Sequence, residues 1–196
     1  MKLCVFQGTF NPIHNAHLNV ADYVRRNFGY DKILFIPAFK PPHKDFDEKF
    51  SPHRLEMVKL ALEKYSNFDV SDIEFNRNGI SYTYLTILEL YKTYNIDGKI
   101  GFIIGTDAFI GLPEWYETDK LKHLVDFILF KRCNVVNKNS LALLSERGYK
   151  FNMADLDFLN ISSTEIREKI QSGKSVTDLV PQKVMEYIEK NELYRK

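Results

Sequence analysis

Cysteine is scarce in this 196-residue chain, with Cys4 and Cys133 the only two. Both lie in apolar runs, without CxxC spacing or a neighbouring histidine cluster, so neither a disulfide framework nor structural zinc is indicated. A reducing, cytoplasmic setting is expected. Charge of one sign is also missing: 27 Lys and Arg against 26 Asp and Glu leave a formal +1. With no basic patch in the sequence, a nucleic-acid partner is not expected. Long hydrophobic runs are absent too. The longest, Ile33 to Phe39, is interrupted by Pro37 and is too short for a bilayer, and the apolar stretch before Gly8 is too short for a secretory leader. No membrane anchor is expected. The 9 Gly, 7 Pro and 44% hydrophobic residues exclude a collagenous or disordered chain and leave material for one core, a single domain over residues 1–196.

What is present is an alternation of two periodicities. Short apolar runs at Lys2 to Phe6, Lys32 to Pro37, Phe68 to Phe75, Lys99 to Ile104 and Asp126 to Phe130 read as buried strands. Between them, Leu18, Ala21, Val24 and Phe28, closed by Gly29, have helical spacing. So do Leu55, Val58 and Leu62, with Ser51 as expected N-cap and Pro52 at the first helical position, and Tyr84, Leu88 and Tyr91, with Ser81 as expected cap. After Asn137 the spacing predicts a helix near Ser140 to Arg147, a strand near Tyr149 to Met153, and helices near Ser163 to Ser172 and Pro181 to Asn191. This is an α/β chain, a parallel sheet covered by helices on both faces.

In such a sheet ligands bind beyond the carboxyl ends of the strands. GxGxxG and the P-loop pattern are both absent, so phosphate would need another holder. GTFNPIHNAH (Gly8 to His17) offers a glycine, a helix N-terminus, and two imidazoles three residues apart. HxxH without the glutamate of HExxH, and without a nearby third ligand, makes a poor metal site. PPHK places His43 and Lys44 after the second strand. ISSTEIR, Ile161 to Arg167, puts the hydroxyls of Ser162, Ser163 and Thr164 at a helix start with Arg167 one turn on, which serves equally as a routine cap or as a phosphate clamp. Asp107 suits ribose hydroxyls or helix capping, Arg132 follows the fifth strand, and Trp115 suits stacking or packing.

In their order along the chain, GTFNPIHNAH, PPHK, SYT (Ser81 to Thr83), GTD (Gly105 to Asp107), LPEW and ISSTEIR resemble the bacterial nicotinate-nucleotide adenylyltransferases of the nucleotidyltransferase α/β-phosphodiesterase superfamily. The resemblance implies a Rossmann-like doubly wound sheet of order 3-2-1-4-5 with C-terminal helices. It implies transfer of the adenylyl group of ATP to nicotinate mononucleotide, with Mg²⁺ carried by the ATP phosphates and no protein metal site. ATP would be bound by Gly8, Thr9, Phe10, His14, His17, Gly105, Asp107, Arg132, Ile161, Ser162, Ser163 and Arg167. Nicotinate mononucleotide would be bound by His43, Lys44, Thr83, Trp115 and Tyr116. His14, His17, Lys44 and Arg167 would be catalytic. The family commonly has a second glycine where this chain has Gln7, and HxGH where it has Ala16. Whether the chain distinguishes nicotinate from nicotinamide mononucleotide is left open, and a homo-oligomer is compatible with the reading.

Overall fold

The computed structural model describes residues 1–42, 47–131, 137–156 and 161–195. Within them, β1 (Leu3–Gly8), β2 (Lys32–Pro37), β3 (Phe68–Val70), β4 (Ile100–Gly105), β5 (Val125–Phe130) and β6 (Phe151–Met153) form one sheet of order β3-β2-β1-β4-β5-β6. Every pairing is parallel. The expected order 3-2-1-4-5 is present, and β6 extends it at the β5 edge.

Alternation along the central strands sorts side chains into two cores. Cys4, Phe6, Ile33, Phe35, Ile103 and Ile128 meet the apolar residues of α1 (Asn15–Phe28), α2 (Ser51–Leu62), α8 (Ser163–Gln171) and α9 (Gln182–Lys190). Leu3, Val5, Leu34, Ile36, Phe102, Ile104 and Phe127 face the opposite way. There they meet α3 (Ile73–Arg77), α4 (Thr83–Thr93), α5 (Thr106–Ile110), α6 (Thr118–Leu124) and α7 (Lys138–Glu146). Burial pushes the Cys4 thiol pKa up, as suits a packing residue. Cys133 lies outside the described residues. Among the described residues no helix is long and apolar enough to cross a membrane.

Three local expectations are corrected. The third strand stops at Val70 rather than running to Phe75. Ser71 and Asp72 turn the chain: Ser71 Oγ accepts from Ile73 N, and the Asp72 carbonyl accepts from the amides of Phe75 and Asn76. Ile73 is therefore buried from a helical turn, and Glu74 with it. Ser51 is the first residue of α2 rather than its cap, because its hydroxyl donates to the Phe39 carbonyl at 3.2 Å. Tyr82, not Ser81, occupies the cap position of α4, since Ser81 Oγ accepts from Lys40 N at 3.0 Å. Both serines tie loops together instead of ending helices.

Gly29 closes α1 in the left-handed region, at φ 69°. Gly101 answers a different need. It lies beside Cys4 in the register between β1 and β4, and a Cβ there would run into Cζ and Oη of Tyr30. Gly101→Ala must displace that packed ring, and is expected to cost about 1–3 kcal/mol of stability. A denaturant titration of the purified variant checks this.

Candidate active site

The strand order reverses between β1 and β4, and there the carboxyl ends of the strands open into a cavity of about 1310 Å³. One half lies on the α1 and α8 face. β1 runs out through Gly8 and Thr9 to Phe10, a non-glycine residue at φ 47°, a left-handed conformation that costs energy and that the buried ring holds in place. Gly8 has no side chain because the Phe10 ring occupies its space: a Cβ would stand 3.0 Å from Phe10 Cζ. Phe10 touches the cavity but is only 3% exposed, packed at 5.6–5.7 Å from the rings of Phe6 and Phe35.

That ring props up the imidazoles. His17 meets Phe10 edge-on at 5.0 Å and stacks on His14 at 3.6 Å. His14 is the N-cap of α1, and its backbone N–H donates to His17 Nδ1 at 3.2 Å. Because Nδ1 accepts, neutral His17 carries its proton on Nε2 and is a hydrogen-bond donor there.

The ISSTEIR helix is tied to the same loop although it is more than 150 residues away in sequence. Ser163 Oγ donates to the Pro12 carbonyl at 2.9 Å, and Arg167 Nη1 donates to the Asn11 carbonyl at 2.8 Å. Ser162 caps α8 by accepting from Glu165 N, and Ser162, Ser163 and Thr164 at this helix start line the cavity. Tyr194, near the C-terminus, donates from Oη to Asn11 Oδ1 at 2.5 Å and stacks on Phe50.

Beneath these loops lies Arg54, 1% exposed. Its Nη1 donates to the carbonyls of Thr9 (2.8 Å) and Ala38 (2.6 Å), and its Nη2 to the Phe39 carbonyl (3.1 Å) and Ser51 Oγ (3.0 Å). Burial lowers its pKa to about 10, and because that lies well above neutrality it remains cationic at neutral pH, with the Glu74 carboxylate favouring the charge.

The other half lies on the α3 to α7 face and is walled by Tyr82, Thr83, Glu114, Trp115 and Tyr116, with the Tyr82 and Tyr116 rings 4.6 Å apart. Its floor is polar. Gln7 donates to buried Glu74 and accepts from Thr83.

The sequence-predicted residues Gly8, Thr9, Phe10, His14, His17, Thr83, Gly105, Trp115, Tyr116, Ile161, Ser162, Ser163 and Arg167 all line this one cavity. Asp107 does not. It sits exposed on the first turn of α5, outside the wall. His43, Lys44 and Arg132 lie outside the described residues. Sequence reasoning missed Arg54, Glu74 and Tyr194. Arg54 had a legible signal: it shares the buried face of α2 with Met57, Val58 and Ala61, where a charge needs a reason. Glu74 was hidden by the reading of its segment as strand.

The sequence profile of the cytidylyltransferase-like family matches residues 5–169. A protein of Clostridium botulinum (strain Kyoto / Type A2) described as a "probable nicotinate-nucleotide adenylyltransferase" is 39% identical over 97% of this chain and 98% of its own. One from Streptococcus pneumoniae serotype 4 with the same description is 39% identical over 97% of this chain and 87% of its own. The solved structure of Plasmodium falciparum nicotinic acid mononucleotide adenylyltransferase complexed with NaAD superposes with a TM-score of 0.80. It covers 98% of this chain and 97% of its own at 23% identity, a likeness of fold. With a family match over most of its length and relatives of this identity along nearly all of it, the chain belongs to the nicotinate-nucleotide adenylyltransferases, a family of nucleotidyltransferases.

Proposed function

We propose that the protein joins ATP and nicotinate mononucleotide, giving nicotinate adenine dinucleotide and pyrophosphate. The observation that carries this reading is the single cavity at the strand switch point. One half offers amides, imidazoles and Arg167, and the other is walled by aromatic rings. At about 1310 Å³ it exceeds the usual range for one small ligand, roughly 300–1,000 Å³, as two nucleotides require.

The reaction is a direct in-line displacement. An oxygen of the mononucleotide phosphate bonds to the ATP α-phosphorus as the bond to the bridging oxygen of the β-phosphate breaks, and pyrophosphate leaves with that electron pair. The nucleophile is already ionised near neutral pH, its second pKa being about 6, so no general base is needed. The protein must align two polyanions and answer the charge that builds in the transition state. His17 Nε2–H suits the α-phosphate oxygens as they crowd the phosphorus. His14, Arg167 and the first turn of α8, with Ile161, Ser162 and Ser163, suit the departing pyrophosphate. Gly105 and Asp107 are assigned to the adenosine ribose, Gly105 from the cavity wall. Thr83, Trp115 and Tyr116 receive the nicotinate ring, and His43, Lys44 and Arg132 complete the phosphate contacts.

Mg²⁺ belongs to this reading as an ion carried by ATP. Among the described residues no group of three or more His, Cys, Asp or Glu could hold a metal, and Asp47 and Glu114 are the carboxylates that line the cavity. That donor set fits an ion that keeps phosphate oxygens and water as its principal ligands. Carried in with ATP, such an ion would supply positive charge to the leaving pyrophosphate. A cytoplasmic setting accords with these substrates.

Tyr194→Phe is expected to raise the KM for ATP about fivefold with the KM for nicotinate mononucleotide unchanged, as loss of one hydrogen bond implies. Initial rates with each substrate varied in turn check this. The reading as a whole is tested by pyrophosphate release with ATP, Mg²⁺ and, in parallel, nicotinate mononucleotide, nicotinamide mononucleotide or pantetheine phosphate. Strong preference for the first supports it. Preference for another acceptor overturns the roles of Thr83, Trp115 and Tyr116, and ATP binding without turnover overturns the reaction.

A further inference from the structure

Gln7 is the last side chain of β1 before Gly8, and alternation turns it toward α3 and α4. There it meets Glu74, 1% exposed. Gln7 Nε2 donates to Glu74 Oε1 at 2.6 Å, and Gln7 Oε1 accepts from Thr83 Oγ1 at 2.8 Å. Glu74 also accepts from Thr86 Oγ1 at 2.6 Å and from the Phe39 amide at 3.3 Å, and the Arg77 guanidinium stands 3.7 Å away. Burial raises the Glu74 pKa, while hydrogen bonds from the Ser81 and Thr86 side chains, the Arg77 charge and the Phe39 amide favour the carboxylate.

The direction of the hydrogen bonds follows. A carboxylate only accepts, so the carboxamide must turn its NH₂ to Glu74 and its carbonyl to Thr83. Thr83 has one hydroxyl proton, which goes to Gln7. The NH₂ has two protons, and Glu74 takes one. The second belongs to a side chain that lines the aromatic half of the cavity. The Arg77 charge offsets that of Glu74 behind it, so the cavity meets a donor rather than an anion.

We propose that Gln7 is a specificity-determining residue for the acceptor nucleotide: its second Nε2–H donates to the carboxylate of the pyridine ring, favouring nicotinate over nicotinamide mononucleotide. This deepens the proposed function and rests on it. An N–H bond to an ionised oxygen is roughly twice as strong as one to a neutral carbonyl, which supplies the discrimination. Glu74 acts through Gln7 and is a positioning residue.

The test compares Gln7→Met, of similar length without donor or acceptor, with Gln7→Gly, which has no side chain. The readout is kcat/KM for nicotinate mononucleotide divided by that for nicotinamide mononucleotide, with the KM for ATP as internal reference. Both variants are expected to lower this ratio about tenfold and leave the ATP KM within about twofold. A ratio that is unchanged or rises, or an ATP KM that moves in parallel, overturns the assignment while leaving the proposed reaction standing. A parent enzyme that does not turn over nicotinate mononucleotide overturns both.

Discussion

Replacing His17 with alanine is expected to lower kcat by about two orders of magnitude or more while ATP binds almost as before, the signature of a donor used in the transition state. The reason is the fixed polarity of the ring. His14 N–H occupies Nδ1 at 3.2 Å, the Phe10 edge and the His14 face hold the plane, and the proton of the neutral ring is therefore on Nε2. A donor held in place before reaction needs no reorganisation as the α-phosphate becomes pentacoordinate. Alanine removes the donor and also the packing against Phe6 and Phe10, so a thermal melt must accompany the kinetics. Steady-state rates and an ATP titration decide the matter. Weaker ATP binding with unchanged kcat would make His17 a ground-state contact and return the transition-state charge to Arg167 and the α8 amides.

Arg54→Met is expected to have the largest effect on stability, about 3 kcal/mol. At roughly 2–4 °C per kcal/mol for a domain of this size, Tm should fall by about 10 °C. Methionine fills much of the volume, but the buried Ala38 carbonyl loses the guanidinium bond, and the part-buried carbonyls of Thr9 and Phe39 each lose one as well. Glu74 also loses a favourable charge. Arg54→Lys keeps the charge, yet a single ammonium cannot span the four acceptors that the planar fork reaches, so it should recover only part of the loss. Because those carbonyls belong to the loops after β1 and β2, the folded fraction of Arg54→Met should also show a raised KM for ATP, measurable well below its Tm. Normal kinetics in the folded fraction would reduce Arg54 to a stability role.

Most of the architecture was legible locally. A short continuous apolar run bounded by polar or glycine residues is what a strand buried on both faces requires, and β1, β2, β4 and β5 read that way. Phe68 to Phe75 failed because apolar continuity alone does not separate a strand from a buried helical turn. The bonds from Ser71 and Asp72 that break the segment are side-chain and carbonyl choices that the pattern does not display. Ser51 and Ser81 misled for a related reason: a serine before a helix is a good cap unless a neighbouring loop competes for its hydroxyl. Here the Phe39 carbonyl and the Lys40 amide won.

By itself the sequence determined the alternation of strand and helix, the parallel sheet, and the residue types that gather at its carboxyl edge, because all of these follow from periodicity and short-range chemistry. Gly8 was legible as a glycine of the first loop after β1, but the Phe10 ring that fills the space of its missing Cβ was not. Only the tertiary structure decided which distant segments share a wall. It joined Arg167 and Ser163 to the loop at Asn11 and Pro12, brought Tyr194 to the same asparagine, and left Asp107 just outside. It also set the polarity of the Glu74, Gln7 and Thr83 chain. The direction of a hydrogen bond depends on what every partner can donate, and those partners come from β1, α3 and α4, which meet only when the chain has folded.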